Sequence, residues 1–96
     1  MVEVLIAAGA EQDFAEALAW YAERSAQAAN GFQAEVERAL TSIAGDPQRY
    51  PLCDNQHRFC LTRRYPFQVI YRETSDRVLV VAIAHAKRRP GYWQDR

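Results

Sequence analysis

An α+β domain, with a helical hairpin packed on one face of a largely antiparallel four-stranded sheet, is the fold that three features of the chain predict. Apolar residues recur at helical spacing from Phe14 to Ile43, interrupted near Ser25. Short apolar runs separated by turn residues occupy positions 57–84. An opening run, Val2–Ala7, is apolar but too short for a helix. The order is βααβββ, and the 96 residues form one domain, 1–96.

Val2–Ala7 reads as the first strand. Gly9 is expected to cap a helix over Ala10–Arg24, with Glu11 and Asp13 in the first turn where the helix dipole favours acids. Phe14, Ala17, Leu18 and Tyr21 form its apolar stripe. Ser25 is the N-cap expected for a second helix, Ala26–Ala44. Its stripe is Ala28, Phe32, Val36, Ala39, Leu40 and Ile43, and Glu35, Glu37 and Arg38 fall on the wet side. Asn30-Gly31 has turn chemistry, but the stripe crosses it without a phase break, so one helix is predicted. Gly45 is expected as the residue after the helix, and Pro47 forbids continuation. Strands are expected at His57–Arg63, Phe67–Glu73 and Arg77–Ala84. Pro66 falls in the first hairpin turn and Thr74-Ser75-Asp76 forms the second.

Composition excludes several classes. The apolar share of 49% and charged share of 25% are those of a globular protein. Met1-Val2-Glu3-Val4 lacks the basic start of a signal peptide, and Val78–Ala84 is far below the ~20 residues that cross a bilayer. A cytoplasmic protein with reduced thiols and no membrane contact is expected. Cys53, Asp54, His57 and Cys60 match no standard zinc spacing, and Cys60 reads as a small buried residue, so neither metal nor cofactor is expected.

The net charge of zero conceals an asymmetry. Residues 1–56 carry nine acids and three bases; residues 57–96 carry nine bases and three acids, so the halves stand at −6 and +6. The basic half suits an anionic partner, although complementary surfaces can also serve solubility alone. Val78–Ala84 and much of Phe67–Tyr71 are apolar on both alternating sets, which calls for cover on both faces of the sheet. Two helices cover one face. The tail, a second copy or another chain must cover the other, and another chain is the favoured expectation.

The ordered features resemble the RelE/ParE superfamily of small toxins from type II toxin–antitoxin systems. They run from the acidic first helix (Glu11, Asp13, Phe14, then Trp20-Tyr21) through Phe32, Glu35–Leu40, Ile43, Pro47, Tyr50-Pro51 and Arg58. They end with the hairpin Arg63–Arg72 and with Val78–His85 followed by Lys87-Arg88-Arg89-Pro90. The resemblance implies a cognate antitoxin that wraps the toxin, with plasmid stabilisation or growth arrest as the outcome. The antitoxin contacts expected are Phe67, Val69, Ile70, Tyr71, Val80 and Ala82 on the exposed sheet face. A homodimer or a hetero-oligomer with the antitoxin is also compatible. ParE-like members poison DNA gyrase and need no catalytic residues; RelE-like members cut mRNA on the ribosome.

Metal-free RNA cleavage needs a base, an acid and cations on the phosphate. Of the RelE-like set, Arg88 and Tyr92 match approximately, with His85 a further candidate. Gln68 stands where an arginine is expected, and Phe59, Cys60 and Leu61 stand where that family has lysines. An amide supplies neither the charge nor the two-pronged donor of a guanidinium. The reading is therefore a ParE-like gyrase poison, with Arg63, Arg64, His85, Lys87, Arg88, Arg89, Tyr92 and Trp93 as candidate target contacts. The alternatives are a RelE-like ribosome-dependent endoribonuclease and a non-toxic module that only pairs with an antitoxin. Tyr92 and Trp93 either stack on a target or fold back on the core.

Overall fold

A computed structural model describes all 96 residues. The elements follow the predicted order: β1 (Glu3–Ile6), α1 (Ala8–Arg24), α2 (Ala26–Gly45), β2 (His57–Leu61), β3 (Phe67–Glu73) and β4 (Arg77–His85). The sheet runs β1-β4-β3-β2, with β1 parallel to β4 and the other two pairings antiparallel. No helix is long and apolar enough to cross a membrane.

Element ends depart from expectation where the sheet dictates them. α1 starts at Ala8 rather than Ala10, and its cap is Ala7, not Gly9. The Ala7 N–H donates to the Val80 carbonyl at 2.9 Å while the Ala7 carbonyl accepts from Glu11 N–H at 3.0 Å, so the strand hands the chain straight to the helix. Ser25 caps α2 as expected, its hydroxyl oxygen accepting from Ala28 N–H at 3.1 Å. Gly45 is the last helical residue, and Asp46 occupies the cap position. Asn30-Gly31 lies inside α2. A Cβ at Gly31 would fall where the Tyr65 hydroxyl sits, so a larger residue there would force Tyr65 to shift.

Phe32 is the centre of the helix-side core. Its ring lies 5.5 Å from Phe14 and 4.9 Å from Phe67, which ties both helices to the sheet. Burying a side chain of that size contributes about 2–3 kcal/mol. The apolar composition of β4 on both faces has a register cause. Ile70 pairs with Ala82 and Tyr71 with Val80, leaving Val81 as an extra residue in a β-bulge. The bulge resets the alternation. Val78, Val80 and Ile83 enter the helix-side core, whereas Val81, Ala82 and Ala84 join Ile70 on the other face.

That second face is covered, and the chain's own tail supplies the cover. Trp93 is 7% exposed and packs with Ile70, Val81, Ala82 and Ala84. Phe59, Leu79 and Tyr92 border the same cluster. The favoured expectation of another chain over this face is corrected, because one indole and one phenol close much of it within the protomer.

Candidate functional site

The basic residues gather at one end of the sheet. β4 ends at His85, which pairs with Phe67, and the next residue, Ala86, donates its N–H to the Pro66 carbonyl at 2.8 Å. This bond fastens the tail to the loop between β2 and β3, so Arg63 and Arg64 share an end with Lys87, Arg88 and Arg89. All five are exposed. Within this group only Arg88 has a carboxylate in ion-pair range, and Arg63, Arg64, Lys87 and Arg89 make no ion pair. Four free guanidinium and ammonium groups at one end form a strong anion-attracting field.

Two acids from the helices position this end. Glu35 of α2 accepts the Arg63 backbone N–H at 2.6 Å and the Arg38 guanidinium at 2.9 and 2.8 Å. The Arg38 bonds hold its carboxyl below the usual glutamate range despite partial desolvation, and the Arg63 N–H adds to the effect. Glu35 is thus a loop anchor and not the solvated residue the helical pattern suggested. Arg64, next in the loop, has φ of 71°, an uncommon value for a residue with a Cβ.

Asp13 of α1 anchors the tail. Its side chain is nearly fully buried, and it accepts from Arg96 at 2.7 and 3.2 Å, from the Tyr92 hydroxyl at 2.9 Å and from Ile83 N–H at 3.1 Å. Arg88 approaches it at 3.7 Å and stacks over the Tyr92 ring at 3.8 Å. The Ile83 bond has a structural reason. β1 ends opposite Val80, so the β4 edge beyond it lacks a neighbouring strand. Asp13 accepts the Ile83 N–H and Arg96 donates to the Val81 carbonyl at 3.0 Å, which satisfies the edge as a strand would.

The candidate contacts therefore divide. Trp93 is folded back, its ring 4.8 Å from His57, whose Nδ1 bonds the Asp54 carboxylate at 2.9 Å. Tyr92 is half-buried and spent on Asp13; burial and that hydrogen bond push its hydroxyl up to about 12. His85 packs edge-on against Phe67 at 5.0 Å and accepts the Lys87 N–H at Nδ1 over 3.0 Å, a bond that requires Nδ1 unprotonated. Gln68 is on β3, and Phe59, Cys60 and Leu61 are on β2, as the strand reading placed them.

The residues expected at an antitoxin interface lie inside the protomer. Phe67, Val69, Tyr71 and Val80 belong to the helix-side core, and Ile70 and Ala82 lie in the Trp93 cluster. All six are buried, because the helices take one face and the tail takes the other.

Asp13, Glu35 and Arg96 are the positioning residues the sequence reading missed. A signal was present for two. Asp13 stands three residues after Ala10 and four before Ala17; Glu35 stands three after Phe32 and four before Ala39. Asp13 falls on the apolar stripe of α1, and Glu35 at the border between the stripe and the wet side of α2. A carboxylate on or beside a buried face demands partners. Arg96 at the end of the chain carried no such signal.

The comparisons agree with this geometry. The family model for the ParE toxin of type II toxin–antitoxin systems, parDE, matches residues 4–90, which takes in both helices and, apart from Glu3, all four strands. No curated protein matches the sequence. A solved chain from the chromosomal ParDE TA system of P. aeruginosa superposes with a TM-score of 0.79 at 13% identity. The match spans 91% of this chain and 98% of that one. At that identity the likeness is one of fold. The family match rests on the sequence itself and covers most of its length, and the chain belongs to the ParE toxin family of type II toxin–antitoxin systems.

Proposed function

We propose that this toxin acts by binding DNA gyrase through the cationic end of its sheet, catalyses no reaction itself, and is neutralised by a cognate antitoxin. The observation that carries the reading is the set of exposed cations outside every ion pair, Arg63, Arg64, Lys87 and Arg89, gathered at one end of the sheet. A hydroxyl titrating at about 12 and already donating to Asp13 is a poor proton acceptor at neutral pH. Gln68 and the apolar face of β2 supply no charge for a pentavalent phosphate.

The antitoxin is assigned to the groove between α1 and the ends of β3 and β4, a cleft of about 520 Å³ lined in part by Ala17, Trp20, Tyr21, Pro66 and Phe67. Trp20 is 52% exposed there, and His85 and Arg88 stand at the rim. A chain seated in the groove would screen part of the cationic end, which gives neutralisation a physical route. Of the six sheet residues expected at the antitoxin interface, only Phe67 reaches this groove, joined there by the buried Ile83 of β4.

The test is gyrase supercoiling of relaxed plasmid in the presence of purified protein. Inhibition or accumulation of cleaved complexes is expected. Unaffected supercoiling at toxin excess would overturn the gyrase assignment. Trp20→Asp should weaken antitoxin binding at least about tenfold without unfolding the protein, since the indole is half in solvent.

A further inference from the structure

β2 is an edge strand, and only part of its free edge is closed. The Pro51 carbonyl accepts Phe59 N–H at 3.1 Å, and Cys53 N–H donates to the His57 carbonyl at 2.8 Å. Beyond these bonds the loop leaves the strand. The antiparallel register with β3, continued by Thr62 N–H donating to the Phe67 carbonyl, turns the Phe59 carbonyl and the Leu61 N–H outward. Neither meets a loop. Leu61 is 61% exposed and Leu52 54%, so apolar side chains flank the open edge.

A hollow of about 270 Å³ runs beside it, bordered by Arg38, Arg49, Tyr50, Pro51, Leu61 and Arg63. Arg38 is neutralised by Glu35 at 2.8 Å. Arg49 and Arg63 have no carboxylate in range, so the hollow is cationic.

We propose that this edge accepts an extended, acidic segment of a partner protein as a fifth strand. The outward carbonyl and N–H offer main-chain hydrogen bonds, the leucines offer apolar contact, and Arg49 and Arg63 select carboxylates. A second copy is a poor occupant, because edge-to-edge pairing would bring the same arginines together. The site is separate from the groove beneath Trp20 and does not depend on the gyrase assignment.

The experiment follows amide signals of the isotopically labelled full chain at low salt, with an acetylated hexapeptide of alternating valine and glutamate as the probe. The Phe59–Leu61 amides should shift, and hydrogen exchange at Leu61 should slow at least about tenfold. The valine–lysine counterpart should do neither. In Arg49→Glu/Arg63→Glu, whose side chains are exposed and whose fold is checked by the remaining amide signals, the preference should reverse. Four results would overturn the proposal: silence at Leu61 with the glutamate peptide; equal binding of both peptides; stronger perturbation by a thymidine oligonucleotide, which would mark a nucleic-acid site; and Leu61 protection that rises with protein concentration alone, which would mark a second copy.

Discussion

A carboxylate placed in a protein interior without partners costs several kcal/mol, so each buried acid must be read through what it binds. Asp13 binds a strand edge, a tyrosine and an arginine 83 positions away in sequence. Asp13→Ala should lower unfolding free energy by about 3 kcal/mol, measured by urea titration, and free the tail. Gly31 provides a test with the opposite intuition. Replacing a mid-helix glycine with alanine ordinarily stabilises by about 1 kcal/mol. Here Tyr65, packed between Tyr21 and Phe32, blocks the new methyl, so Gly31→Ala should destabilise the wild type. In a Tyr65→Phe background, where the obstructing hydroxyl is gone, the loss should shrink or reverse; the same cost in both backgrounds would show that Tyr65 is not the cause. The helical repeat disclosed that Gly31 lies in a helix, but not the tyrosine above it, since no local pattern records a contact 34 positions distant.

At the scale of elements, the helices and strands were readable because apolar spacing and turn residues agreed at each boundary. The bulge in β4 was not. Val78–Ala84 is small and apolar throughout, so a phase slip at Val81 leaves no trace in composition. The tail was unreadable for a related reason: Tyr92 and Trp93 are as well suited to a partner's surface as to their own sheet. Trp93→Ala should cost about 3 kcal/mol, visible in thermal unfolding. Alkaline titration addresses Tyr92. Its hydroxyl titrates near 10 when unfolded and about 12 when folded, so the folded state holds the proton more tightly. The stabilisation is therefore full below pH 10 and falls as pH rises toward 12. Tyr92→Phe should flatten that part of the stability profile. Glu35 behaves in the reverse sense. Its lowered carboxyl stabilises at neutral pH and loses that contribution as pH falls through its folded value, a loss Glu35→Gln should abolish.

Across the whole molecule, the opposed charges of the two halves have a division of labour. Acids of the helical half, Asp13 and Glu35, reach into the basic half and fix it, Asp13 pairing with Arg88 and Arg96, while Arg63, Arg64, Lys87 and Arg89 make no ion pair. The sequence asymmetry was visible from residue counts. Which charges are spent internally was not, because pairing depends on the fold. A field from exposed cations is screened by salt, so any target association through this end should weaken as ionic strength rises. The most direct measurement is gyrase supercoiling with wild-type protein and with Lys87→Glu/Arg89→Glu, two exposed positions outside every ion pair. The double variant should keep the wild-type melting temperature and lose at least about tenfold in inhibitory potency. Equal potency in the two proteins would contradict a gyrase contact made through the cationic end.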